Sequence, residues 1–341
     1  MSTSLASTSI LVDLDIGLWS ARMAEPRVVR DASAAHGADA SLLSASKQLL
    51  AGRRAAAKAD RNGQAPWPDS IKLYHAIASA ATAARATHNR LTAPWDGKRR
   101  ILTAALSDEY EARMAEAERD YWSAVHAFLP EYADLREFAR GRLNGLWRAE
   151  EYPDAYDLRD RYRFSVEREP VPDAEALERI VGVSGLDTAV EALTARNLAR
   201  ATAATADTWQ RVLSAVRLMA ERCADPDAPI YESMVAGVRD IVAIGRGLNL
   251  TADGNLTAVL RRIEDTLSSA DADRIRRNGA VRARLAAEAA DVLAQAEAAA
   301  PPEALEDRPL RRLRCLVPIP EAPATIPVPS QGDLLSEEVP A

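Results

Sequence analysis

Residues 71–91 read IKLYHAIASAATAARATHNRL, and Ile71, Tyr74, Ile77, Ala81, Ala84, His88 and Leu91 recur at steps of three or four. That period lays them along one face of a helix. Asp69 or Ser70 suits its N-cap, and Pro94-Trp95-Asp96-Gly97 ends it. A second helix is predicted from Arg99 to Phe128, where Leu102, Leu106, Tyr110, Met114, Ala117, Tyr121, Val125 and Phe128 keep the same spacing. Pro130 permits a new helical start near Glu131, continuing through Leu135, Phe138, Arg142 and Leu146. Two long helices joined by a short Pro/Gly turn form an antiparallel hairpin.

Upstream, Asn62-Gly63 and Pro66-Trp67-Pro68 separate this hairpin from an Ala- and Arg-rich stretch, Asp31 to Lys58, that favours helix with weak points at Gly37 and Gly52. Pro26, which follows the opening strand, is read as barring an immediate helix. The start of the chain alternates Ile10, Val12, Leu14, Ile16 and Leu18 with Asp13, Asp15 and Gly17, a strand period. Tyr162, Phe164 and Val166 alternate likewise before Pro170 and Pro172. A lone strand is unstable in water, so the two strands are expected to pair.

After Pro172 the pattern is helical to about Ala300, with breaks at Gly182, Gly185, Asp225 to Pro229 and Asp253-Gly254-Asn255, and with Gly245 and Gly247 closing one helix. From residue 301 the composition changes: nine of the 19 prolines follow, with Arg308, Arg311, Arg312 and Arg314 ahead of an acidic end. Such a segment buries too little apolar area to offset ordering, and is expected to be disordered. The predicted fold is therefore mainly α: long antiparallel, bundle-like helices, one small two-stranded β element and a disordered Pro-rich C-terminal tail. The expected divisions are 1–170, 171–300 and 301–341.

The 341 residues carry 43 Lys and Arg against 50 Asp and Glu, a net charge of −7, with 48% hydrophobic and 27% charged residues. That balance excludes a wholly disordered chain and argues against a general nucleic-acid coat. Cys223 and Cys315 are too few for a disulfide scaffold or a Cys-rich zinc module. No secretion signal or apolar run of spanning length is read, so a cytoplasmic, non-membrane protein is expected. Only Lys47, Lys58, Lys72 and Lys98 are lysines, and the remaining basic residues are arginines. This reads as codon bias of a GC-rich genome rather than as chemistry.

Chemical motifs are sparse. Gly97-Lys98 lacks the following Ser or Thr of a phosphate loop, and Gly245-Arg246-Gly247 is a helix end. None of His36, His75, His88 and His126 has a glutamate three residues before it, so no di-iron or zinc-hydrolase pattern is present. No catalytic, cofactor-binding or metal-ligating residue is assigned, and no cofactor is expected. The acidic clusters Asp108-Glu109, Glu116-Glu118, Glu150-Glu151 and Asp154-Asp157-Asp160 are interleaved with arginines, which marks solvated ion-pair faces; a metal-dependent nuclease on them is a distant reading. Arg53, Arg54 and Lys58, and Lys98, Arg99 and Arg100, form local basic stripes beside Trp67 and Trp95. These are the candidate nucleic-acid contacts of an alternative single-stranded-DNA-binding or annealing protein.

Two segments, Leu11-Val-Asp-Leu-Asp-Ile-Gly-Leu-Trp19-Ser-Ala-Arg22 and Tyr152-Pro with Leu158-Arg-Asp-Arg-Tyr162-Arg-Phe164-Ser-Val166 and Pro170-Val-Pro172, resemble a phage and prophage family known as domain of unknown function 3150. Ser44-Ala-Ser-Lys47 stands where that family carries a Gly-Ser-Lys step, without the glycine. The resemblance implies a strand with Trp, long helices, a second strand and further helices. It also implies an accessory or adaptor role beside a ring-forming AAA+ ATPase, with no catalytic residues to carry over. The expectation is a non-enzymatic phage or prophage interaction protein with a protein partner.

Overall fold

The computed structural model describes residues 5–56, 66–173 and 187–305. Strand β1 (Ser9–Gly17) lies inside a four-stranded antiparallel sheet with β4 (Ala93–Asp96), β5 (Arg99–Thr103) and β6 (Arg163–Pro170), in the order β4-β5-β1-β6. The expected pairing of the first strand with the mid-chain strand is present, with Leu14 opposite Val166 and Ile16 opposite Phe164. The sheet has four strands rather than two. The added hairpin occupies residues read as a turn and the start of a helix. Gly97 takes φ 58° in the turn, Pro94 sits on an edge strand where its missing N–H is harmless, and Ile101 and Leu102 are fully buried.

Helix α4 (Ile71–Leu91) buries Ile71, Ile77, Ala81, Ala84, His88 and Leu91, the face its period predicts. It packs against α5 (Ala104–Leu143), which is one continuous 40-residue helix with Pro130 inside it rather than two helices meeting there. Buried Phe128 and Tyr132 flank Pro130 and fix the backbone on both sides, so the one hydrogen bond the proline forfeits does not end the helix. Tyr121 of α5 donates its hydroxyl to the Gly17 carbonyl at 2.6 Å, which ties the helix to β1.

The stretch 26–58 departs most from expectation. Helix α2 (Pro26–His36) starts at Pro26 itself, because a first-turn proline has no hydrogen bond to lose. Gly37, at φ 62°, closes it. The strands β2 (Arg22–Ala24) and β3 (Ser46–Gln48) then pair with each other, and among the described residues α-helix resumes at Arg53–Ala56 (α3).

The second half is built from α7 (Asp187–Ala224), α8 (Glu232–Gly247), α9 (Gly254–Leu267) and α11 (Gly279–Ala299), with short helices α10 (Ala272–Arg277) and α12 (Pro302–Leu305); α1 (Leu5–Thr8) and α6 (Ala155–Asp160) complete the set. Two apolar cores result. One fills the space between the sheet, α4 and α5; the other surrounds Trp209, Val212, Leu260, Ile263 and Val292. Helix α7 joins them, with Ala201 and Ala204 in the first and Ala206 onward in the second. Gly247 belongs to α8 itself, and lateral clearance explains it: a Cβ there would lie 2.6 Å from Leu106 of α5.

Part of the segment read as tail is ordered helix, since Ala304 of α12 is buried in the second core. The rest of that expectation, over residues 306–341, lies outside the described residues, as do Gly182 and Gly185. No helix among the described residues is long and apolar enough to cross a membrane.

Candidate interaction surface

Between β2 and β3 the chain leaves the body of the protein and returns. Its neck is a ladder pairing Arg22 with Gln48, Met23 with Lys47 and Ala24 with Ser46. Glu25 N–H to Ala45 O at 2.9 Å and Leu49 N–H to Ala21 O at 2.7 Å close it above and below. Beyond the neck lie α2 and a single 3-10 turn, Ala40–Leu42, whose start Asp39 caps through the Ser41 N–H at 2.8 Å. Hydrogen bonds from Ser41 hold the Asp39 carboxyl below its ordinary pKa. Helix α2 buries no residue at all. Val28 is 42% exposed, Leu42 83%, and Met23 and Leu43 are also exposed. These exposed apolar side chains make the excursion a candidate contact surface.

The neck is locked to the body by a buried ion cluster. Lys47 is 5% exposed at its side chain, and its Nζ lies 2.8 Å from Glu25 Oε2, 2.8 Å from Glu151 Oε2 and 2.7 Å from the Leu146 carbonyl. An ammonium has three N–H donors, and here each meets an acceptor. Arg148 adds a longer contact to Glu25 Oε1 at 3.7 Å. Burial opposes the charge on Lys47, but the bonds to Glu151 and Glu25 outweigh it and raise the pKa above its ordinary value. The same bond from Lys47 lowers that of Glu25 against its own burial.

The loop that Lys47 grips continues the surface. Asn144 takes φ 45°, a region an asparagine tolerates better than most residues, and leaves Leu146 41% exposed. Trp147 stacks on Tyr152 with centroids 5.8 Å apart, Arg136 lies 5.8 Å from the Tyr152 centroid, and Arg140 lies 5.3 Å over Trp147. On the same end of α5, Arg142 lies over Phe138, which packs against Trp67. Exposed aliphatics beside tryptophan and arginine are the residue types that dominate protein interfaces.

The predicted nucleic-acid contacts are distributed differently. Arg53 is exposed and donates to the His75 carbonyl at 3.0 Å and to the Ser79 hydroxyl; Arg54 is exposed beside it. Lys58 lies outside the described residues. Lys98 is exposed in the β4–β5 turn, and Arg99 pairs with Glu169 at 2.9 Å and Asp96 at 3.6 Å. Arg100 turns inward onto the end of α4, donating to the Thr92 hydroxyl at 2.7 Å and the Thr92 carbonyl at 2.8 Å. Arg211 reaches the same carbonyl at 3.0 Å. Burial, then repulsion from Arg211, lowers the Arg100 pKa to about 10. Arg53 thus sits on the 75–79 turn of α4 and Arg100 on its 89–92 end, about 15 Å or more apart along the axis. The two stripes do not merge.

The acidic clusters serve structure. Glu111 grips Arg168 with two bonds, at 2.9 and 2.6 Å, and Asp154 caps α6. Among the described residues no three metal-ligating side chains converge. The ion cluster around Lys47 escaped sequence reasoning, because the carbonyl it grips lies 99 residues along the chain. Comparison with family models, with curated proteins and with solved structures finds no match for this chain.

Proposed function

We propose that this chain is a non-enzymatic interaction protein whose α2 excursion and Leu146–Trp147 loop engage a protein partner. The observation that carries this reading is an eleven-residue helix that buries none of its residues while standing on a rigid, ion-paired neck. An isolated helix of that length is marginal in water, and contact with a partner supplies the burial it lacks. The family resemblance extends the proposal to an adaptor or accessory subunit beside the AAA+ ATPase of a phage or prophage system in the host cytoplasm.

The test is co-elution with an AAA+ ATPase of the kind that the resemblance implies as partner. Wild type is expected to co-elute, and Val28→Asp combined with Leu42→Asp to elute alone. Both positions are exposed, so the melting temperature should change by no more than the equivalent of about 0.5 kcal/mol. Undiminished co-elution of the double variant removes the excursion from the reading.

A second reading, single-stranded DNA binding, rests on Arg53, Arg54, Arg140 and Arg142 standing with Trp67 and Trp147 at one end of the helical hairpin. It expects affinity for a fluorescent oligonucleotide that falls steeply with salt, and a loss on Arg53→Ser with Arg54→Ser. Arg136 and Arg140 already lie over the Trp147 ring, which leaves less aromatic face for bases and makes this the weaker of the two readings.

A further inference from the structure

We infer that the open edge of β6 is a homodimer interface, where the strand pairs antiparallel with β6 of a second copy across a two-fold axis at Val166 and joins the two four-stranded sheets into one. This surface is separate from the α2 excursion. It lies along α5 between Glu111 and Tyr121, roughly 30 Å or more from the helix end that carries the Leu146–Trp147 loop.

Strand β6 closes the sheet on one side, and among the described residues it pairs with β1 alone. Its last four residues, Glu167 to Pro170, are all exposed. The unused backbone groups of such an edge are a template for another strand. Charges along an edge bar indiscriminate pairing and admit a strand that brings opposite charges in register. β6 reads Arg-Phe-Ser-Val-Glu-Arg-Glu-Pro, an order complementary to itself. A two-fold axis at Val166 sets Arg163 opposite Glu169 of the second copy, Phe164 opposite Arg168, and Ser165 opposite Glu167. Val166 meets its own counterpart, and Pro170, with no N–H to give, falls just beyond the pairing. Sliding two residues one way puts Glu167 against its own counterpart, and sliding the other way leaves only residues 163–167 in the ladder. A one-residue slip joins opposite faces of the two sheets, which a two-fold axis does not allow.

Neighbouring side chains continue the match. Arg163 is paired with Asp15 at 2.6 Å and Glu169 with Arg99 at 2.9 Å, and both pairs are exposed. Edge pairing lines up Asp15 and Arg163 of one copy with Glu169 and Arg99 of the other, in alternating sign, on each side of the axis. On the opposite face of the sheet, α5 runs along β6. Glu111 grips Arg168, and Tyr121 packs on Phe164 with ring centroids 5.5 Å apart. Glu111, Ala115, Glu118, Trp122 and His126 follow at steps of three or four, so they share the side of α5 that borders the edge. A shallow groove opens there, where the half-buried Trp122 indole stacks on His126 between Glu118 and Arg119. The two-fold axis brings the grooves of the two copies together, and each covers the ring surface of the other.

Sedimentation of the full chain over a range of concentrations tests this, with a monomer–dimer equilibrium expected. Arg163→Glu alone and Glu169→Arg alone should each raise the dissociation constant at least about tenfold, because each sets like charges opposite one another twice per dimer. Mixed in equal amounts, the two variants should recover most of the lost affinity as a heterodimer, since both contacts are again between opposite charges. The pairs with Asp15 and Arg99 that the variants break lie within one chain, and mixing cannot restore them. Recovery in the mixture therefore reports the register at this edge and nothing else. A chain that stays monomeric at every concentration it tolerates overturns the inference. So does a dimer that the single variants leave intact, or a mixture no tighter than the variants apart, because each moves the contact off β6.

Discussion

Lys47→Met is expected to cost roughly 3–5 kcal/mol of stability, the range for removing one member of a buried ion pair. Its methylene stem is replaced almost atom for atom, so the loss comes from the charge. Glu25, 3% exposed, and Glu151 then face each other in a low-dielectric neck without the ammonium that joined them. The Leu146 carbonyl loses its donor as well. Lys47→Arg should fail to rescue, because a planar fork with five donors cannot set three bonds around a single nitrogen. Replacing Lys47, Glu25 and Glu151 together with apolar residues of similar volume should recover most of the loss, since the penalty lies in the unpaired charges. Urea melts of the three variants check this; a Lys47→Met loss under about 1 kcal/mol would show that the cluster is wet. The sign with pH is defined at both ends. The raised pKa of Lys47 keeps its contribution intact below its ordinary value of 10.5 and loses it as pH rises through the higher folded value. The lowered pKa of Glu25 keeps its share above 4.5 and loses it as pH falls through the lower folded value.

The same cluster shows where sequence reasoning ends. The buried face of α4 is legible because a 3.6-residue period leaves little else for Ile71, Ile77, Ala84 and Leu91 to do. The β1–β6 pairing is legible because two alternating stretches each needed a neighbour. The β4–β5 hairpin is not: Ile101 and Leu102 between Arg100 and Thr103 suit either a helix or a short strand, and tertiary packing decides. Pro26 was misleading because a proline ends a helix from inside yet begins one from its first turn. Lys47 was illegible for a different reason, since the carbonyl it grips lies 99 residues further along the chain. The candidate contact surface is equally hidden. An unburied helix carries the same apolar pattern as a buried one, and only the fold shows that nothing covers α2 among the described residues.

Acid should weaken the protein well before the bulk of its carboxylates titrate, and His88 is the cause. Its side chain is buried between α4 and α5, where Nδ1 lies 2.8 Å from the Tyr110 hydroxyl. Burial, then repulsion from Arg100, lowers its pKa from 6.5 to about 4. Tyr110 cannot compensate, because burial raises its pKa and keeps its hydroxyl protonated. A depressed folded pKa means that the unfolded chain binds the proton more tightly, so stability is fully present above about 6.5 and drains away as pH falls towards 4. The shift corresponds to about 3 kcal/mol at its limit, and to roughly 2 kcal/mol between about pH 7 and about pH 4.5. His88→Gln retains a hydrogen-bonding partner for Tyr110 and does not titrate. Its urea midpoint should therefore be nearly flat over that interval while that of wild type falls. Parallel acid slopes for the two proteins would place the titrating group elsewhere and show that His88 accepts its proton without leaving the fold.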